Sequence, residues 1–264
     1  MDTKSLDDRF AFASTLVEEA GALAHGYFKN RDQLIIKSKG LQDMASQADM
    51  ATEVLIRDAL RKRFPADGFL GEETGRDGLG SADCLWVVDP IDGTQPFVHG
   101  LTSWCVSIGL LVDARIELGL VFAPARAELF VGRRGHPATL NGVPIRVSDA
   151  DSLTQGMLGV GYSPRVPTSQ YIPFFERILA EGGIHYRDGS GALGLCYVAA
   201  GRLIGYVEPQ INSWDCLGAL AVIQSAGGQF NDFLANDGLW TGNPIAASGP
   251  KLLPKLMALL EPVS

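Results

Sequence analysis

Histidine and cysteine are both scarce in this chain, four of each among 264 residues. His25, His99, His136 and His185 form no ligand spacing, which argues against a zinc site. Cys84, Cys105, Cys196 and Cys216 lie in apolar contexts without metal or redox spacing, so they read as reduced core thiols of a cytoplasmic protein. An excess of positive charge is also missing. Twenty-two Lys and Arg face thirty Asp and Glu, for a net charge of -8 and a pI near 5.0, which argues against a nucleic-acid polymer as partner. The densest basic cluster, "RDALRKRF" at 57–64, reads as a solvated helix face. No basic, then apolar, leader is expected from "MDTKSLDDRF". Nor does any run reach membrane-spanning length. The most apolar window, "WCVSIGLLVDARIELGLVF" at 104–122, is cut by Asp113, Arg115 and Glu117, which read as a hairpin tip.

Hydrophobic residues make up 46% of the chain, enough for a large core without staples, and the length favours two fused halves. In residues 1–150, Leu6, Phe10, Ala13, Val17, Ala20, Leu23 and Tyr27 recur at helical intervals over 5–29. A second helix is expected at about 45–64, closed by Pro65. Strand-like runs follow at 84–88, 103–112, 116–122 and 128–132, then an Asn141-Gly142 turn, which predicts an antiparallel sheet. Residues 151–264 alternate short strands and helices and predict an α/β half.

Two acids close the apolar strand in "WVVDPIDGT". Asp89 is held extended by Pro90, and a turn lets Asp92 point back toward it while Gly93 permits the tight path. The two carboxylates and the Ile91 carbonyl could share metals; the bland alternative is an Asx turn. "FLGEETG" repeats the arrangement with Glu72 and Glu73, whose default reading is solvated loop acids. "INSWDCLGAL" sets Asp215 at a helix start, where it could merely cap. Taken together, these acids occupy strand ends and a helix start, positions that converge on one crevice in α/β architectures. An all-oxygen donor set favours Mg2+ over Zn2+. Asp92-Gly93-Thr94 leads into a short helix whose N–H groups suit a phosphate, and bound Mg2+ would reverse the local repulsion. Phosphate-ester hydrolysis is the chemistry these features suggest.

Gly189, Gly191 and Gly194 in "DGSGALG" match a dinucleotide-binding spacing, with Glu208 at a ribose-binding distance; close helix–strand packing is the bland reading. A D-x-D-G-T aspartyl-phosphate motif fails because the spacing here is D-x-x-D. A calcium loop fails because Pro90 and Val88 stand where oxygen ligands belong.

"GEET", "WVVDPIDGT" and "SWDCLGALAVIQSAGG", in that order, resemble the main motifs of the inositol monophosphatase family of Mg2+-dependent, lithium-sensitive phosphatases. The likeness covers nearly the whole chain. It implies a layered α-β-α-β-α sandwich, usually a homodimer, with two or three Mg2+ held by Glu72, Asp89, the Ile91 carbonyl, Asp92 and Asp215, and Glu73 nearby. Asp49, in "DMASQAD", matches the acid that orients the attacking water with Thr94, and Glu72 joins them as a catalytic group. Gly93 and Thr94 would hold the phosphate. The alcohol pocket maps onto Ser163, Gly189, Ser190, Gly191, Ala192, Glu208 and again Asp215. Gln95-Pro96 stands where many members carry Thr-Asn, and Ala45-Ser46 where Val-Thr is frequent. The expected enzyme is a phosphoric monoester hydrolase acting on a small phosphorylated alcohol, foremost inositol monophosphate, by direct attack of an activated water. Histidinol phosphate and a nucleotide 3'-phosphate are the alternative substrates; an oxidoreductase or a non-catalytic metal-binding protein are the alternatives of another class.

Overall fold

The computed structural model describes residues 3–40, 43–77 and 83–261. Its helices are α1 (Thr3–Lys29), α2 (Gln47–Arg63), α3 (Thr94–Val98), α4 (Thr168–Ala180), α5 (Gly191–Ala199), α6 (Ser213–Ser225), α7 (Gly238–Thr241) and α8 (Leu253–Leu260). A short pair, β1 (Ile36–Gly40) and β2 (Asp43–Ser46), precedes α2. The larger sheet holds β3 (Gly68–Gly71), β4 (Gly75–Asp77), β5 (Cys84–Asp92), β6 (Cys105–Val112), β7 (Arg115–Ala123), β8 (Glu128–Arg133), β9 (Thr139–Leu140) and β10 (Val143–Pro144), in the order β10-β9-β8-β7-β6-β5-β3-β4. The smaller sheet is β12-β11-β13-β15-β14, from β11 (Met157–Val160), β12 (Ile184–Tyr186), β13 (Gly205–Ile211), β14 (Gln229–Phe230) and β15 (Asn243–Ser248).

Hydrophobic patterning arranges these elements in five layers, α-β-α-β-α. On α1, Ala13, Leu16, Val17, Ala20, Ala24 and Phe28 are buried at helical spacing, and with Ile56 and Leu60 of α2 they cover one face of the larger sheet. The middle layer is α5 and α6, apolar nearly all round because a sheet lies on each side. α4 and α8 close the outer face of the smaller sheet with Phe174, Ile178, Leu253 and Leu256. No helix among the described residues is long and apolar enough to cross a membrane.

Close approach of α6 to the larger sheet depends on three glycines that sit side by side on β6, β7 and β8. Gly109 pairs with Gly119, and Gly119 with Gly132. A β-carbon on Gly119 would lie 2.0 Å from the Gly218 carbonyl oxygen, and one on Gly132 would lie 2.4 Å from the Val222 Cα. The helix backbone therefore rests directly on the strands, which brings Asp215 at its first turn to the end of the sheet.

Several local expectations change. β5 does not stop at 88 but runs through Pro90 to Asp92, with a register irregularity: Asp89 faces Ser107 and Asp92 faces Cys105. β3 pairs parallel with β5, the exception in an otherwise antiparallel sheet, because β4 takes the outer edge. The smaller sheet is parallel where β11 meets β12 and β13, and antiparallel at β15 and β14. The hairpin tip is Asp113-Ala114, both left-handed, so Arg115 and Glu117 belong to β7. α2 begins at Gln47 rather than about 45, since β2 extends to Ser46. Ser46 caps the helix: its hydroxyl accepts from the Ala48 N–H at 3.1 Å, and the Asp49 carboxylate accepts the Ser46 N–H at 2.8 Å.

Candidate active site

β5 and α6 deliver the acids to one place, and α3 sets Thr94 beside them. The irregularity in β5 turns Asp89 and Asp92 to the same side, and the Asp89 carboxylate accepts the Ile91 N–H at 2.9 Å. Asp215 stands at the third position of α6, where its Oδ2 accepts from the Asn212 N–H at 3.1 Å and the Asn212 side-chain amide at 3.0 Å. The capping reading of Asp215 therefore holds alongside the crevice reading. Asp89, Asp92 and Asp215 each offer an oxygen within 4.8 Å of the others.

Negative charge is concentrated here in a dry setting. Burial first, then the charges of Glu72, Asp92 and Asp215, push the Asp89 carboxyl well above its ordinary range. Asp92 is pushed up to about 7 by burial and by Asp215, although the Ser190 hydroxyl and the Ala192 N–H, the latter at 2.7 Å, both donate to it. Burial also raises Asp215, opposed by its hydrogen bonds. Carboxylates of one sign gathered out of water call for a cation, and an all-oxygen set suits a hard divalent ion. The residues fit Mg2+.

Next to the triad, the Thr94 hydroxyl lies 3.2 Å from Asp49 Oδ1 and 3.2 Å from the Ile91 carbonyl oxygen. Asp49 is fully buried, and its other oxygen takes the Ser46 hydroxyl at 2.6 Å. Gly93, at φ 94°, caps α3 in the left-handed conformation that turns the chain from β5 into that helix. Glu72 lies outside the triad, though its charge acts on Asp89; its N–H donates to the Val88 carbonyl at 3.3 Å. The Glu73 N–H is held from α2.

A crevice opens beside the triad, walled by Asp92, Asp215, Glu208, Gly189, Ser190 and Gly191. Ser163 and Ala192 back it instead of lining it: the Ser163 hydroxyl accepts from Arg165, and Ala192 spends its N–H on Asp92. The glycines of "DGSGALG" serve close packing, since a β-carbon on Gly194 would lie 2.7 Å from the Tyr206 ring. Tyr162, Tyr186, Arg187 and Tyr206 also line the crevice and were not singled out from the sequence. For Tyr206 a signal existed: two residues before Glu208 on β13, it shares that residue's face, and its hydroxyl donates to Glu208 at 2.8 Å. Burial pushes Glu208 up to about 8, opposed by that bond.

The profile of the inositol monophosphatase family matches residues 5–264. The chain is similar to the Nus factor SuhB of Haemophilus influenzae, 36% identical over 87% of each chain. Among solved structures it is similar to the inositol monophosphatase of Anabaena, with a TM-score of 0.83 and 31% identity over 97% of this chain and 96% of the other. It also resembles the extragenic suppressor protein suhB of Bartonella henselae, with a TM-score of 0.88 and 30% identity over 95% and 97%.

Proposed function

This chain belongs to the inositol monophosphatase family, and from that premise we propose that it hydrolyses the phosphate ester of a small polyhydroxylated alcohol, foremost inositol monophosphate, with Mg2+. It is a phosphoric monoester hydrolase of this superfamily. One observation carries the finer reading: three aspartates from β5 and α6 within 4.8 Å, beside a buried carboxylate and hydroxyl pair.

Asp89, Asp92, Asp215, Glu72 and the Ile91 carbonyl would hold the ions, with Glu73 adjoining. Bound Mg2+ would supply a water of lowered pKa and positive charge against the phosphate. Thr94, donating its hydroxyl proton to Asp49, keeps lone pairs for a proton of the attacking water, and Ser46 fixes the Asp49 rotamer. Backbone N–H groups at Gly93 and Thr94 are the proposed phosphate donors. Glu208, braced by Tyr206, is the proposed acceptor for substrate hydroxyls, with Gly189, Ser190 and Gly191 opposite. The same reading includes a homodimer, lithium inhibition and a cytoplasmic location, the last supported by four buried free cysteines.

The deciding experiment measures phosphate release from inositol 1-phosphate, histidinol phosphate and 3'-phosphoadenosine 5'-phosphate, with Mg2+ or EDTA, for wild type and Asp89→Asn. Release from inositol 1-phosphate that needs Mg2+ and disappears in the variant is expected. Preference for another ester would reassign the substrate, and release undiminished by EDTA would overturn the metal mechanism. Relatives named Nus factor SuhB favour a second reading, assembly with another protein. It is separable, because such assembly would survive Asp89→Asn.

A further inference from the structure

Glu53 is a fully buried carboxylate that the site described above does not use. It lies on α2 four residues after Asp49, so both acids leave the same helix face one turn apart. Burying an ionisable side chain is unfavourable unless its oxygens are met. Here both are met by one short stretch of backbone: Glu53 Oε2 accepts the Glu73 N–H at 2.8 Å, and Oε1 accepts the Thr74 N–H at 2.6 Å.

That stretch is the turn between β3 and β4, and it presents Glu72. The turn is gripped on each side. Before it, Gly71 lies so close that a β-carbon would sit 2.4 to 2.6 Å from the Glu53 carboxylate atoms. Within it, the Glu72 N–H donates to the Val88 carbonyl of β5, one residue before Asp89. After it, two successive N–H groups end on Glu53. The carboxylate thus fixes the backbone immediately around Glu72, while Asp49, one helical turn away, takes Thr94.

We propose that Glu53 is a positioning residue: by holding the Glu72-Glu73 turn it sets Glu72 against Asp89, and α2 thereby aligns the metal-binding turn with the Asp49–Thr94 pair as one rigid unit. The proposal rests on the reading of Glu72 as a metal ligand. Glu53 touches neither substrate nor ion. Its effect passes through the backbone of residues 72–74, as groups behind metal ligands commonly set affinity.

The test is direct Mg2+ binding by calorimetry on the full chain, together with turnover against Mg2+ concentration and a thermal midpoint in EDTA. Glu53→Gln keeps the shape but turns an amide N–H toward one backbone N–H. It is expected to weaken Mg2+ binding about 10-fold, with a similar rise in the Mg2+ needed for half-maximal turnover and little change in KM for the phosphate ester. Gly71→Ala, which drives a methyl into the carboxylate, is the second variant, and the same loss is expected. A folded variant of either kind that binds Mg2+ as wild type does, even with a lowered midpoint, overturns the positioning role. Wild type that fails to bind Mg2+ overturns the metal reading itself, so the two failures are distinct.

Discussion

The Thr94 hydroxyl and the Asp49 carboxylate meet at 3.2 Å, although 45 residues separate them in the chain. The acid is wholly buried and clamped by Ser46, so the hydroxyl is aimed rather than free to rotate. Thr94→Ala is expected to lower kcat by about 100-fold, the usual size of a lost proton-handling group, with KM and Mg2+ affinity changed less than threefold. Steady-state kinetics beside a Mg2+ titration separates these; equal losses in both would deny the water-orienting role.

Within the triad Asp89 is the most buried, and it is crowded by Glu72, Asp92 and Asp215. Asparagine at this position keeps an oxygen for the Ile91 N–H, gains a donor for Asp215 and removes one negative charge. Without metal, Asp89→Asn is expected to be the more stable protein, by about 1 kcal/mol or 2–4 °C in thermal midpoint. Mg2+ should raise the midpoint of wild type and not that of the variant. A thermal shift assay with and without EDTA checks both halves.

Glu208 and Asp92 bind their protons more tightly folded than unfolded, at about 8 and about 7 against 4.5 and 3.8. Below the unfolded values both states are protonated and neither acid opposes folding. As pH rises from 5 toward 8 the unfolded chain ionises first, so the metal-free protein loses stability across that window, on the order of 3–5 kcal/mol from Glu208 alone. Thermal midpoints in EDTA should fall steadily over this range, and Glu208→Gln should flatten the slope. A midpoint constant between pH 5 and 8 would contradict the shifts. Saturating Mg2+ should remove the Asp92 share and leave the Glu208 share.

Gly119 offers a test of how packing sets the site. An added methyl there would strike the Gly218 carbonyl, which cannot swing away as a side chain could. Gly119→Ala is expected to destabilise by about 1–3 kcal/mol and, by lifting α6, to weaken Mg2+ binding although Gly119 lies outside the triad. Denaturant unfolding and metal calorimetry on the same sample check the pair of effects.

The acids were legible in the sequence because each interrupts an apolar segment at its end, where a carboxylate needs a reason. Long elements were legible for a similar reason: α1 repeats its apolar residues every three or four positions, and β6, broken only by Ser107, and residues 118–123 of β7 are apolar runs. What escaped depends on contacts far apart in the chain. Nothing local announces that β5 passes through Pro90, because that path is fixed by pairing with β6. Nor does the sequence near Glu53 reveal its role, since its partners lie twenty residues on. The end of β2, residues 45 and 46, falls inside the helix expected from about 45, because the start of α2 is set by the Ser46–Asp49 cap and the pairing of β2 with β1.

The central helical layer is synthesised late. Residues 84–133 make up β5 to β8, yet the helix that covers their inner face is not complete until Ser225. At ordinary synthesis rates of about 5–20 residues per second, roughly ninety residues must follow β8 before that face is covered, and for several seconds an apolar sheet stands open to chaperones or to other nascent chains. The helix that ends this exposure also carries Asp215. Docking α6 therefore seals the sheet and completes the acidic triad in one event, so a chain left open to aggregation is also one that lacks its third aspartate.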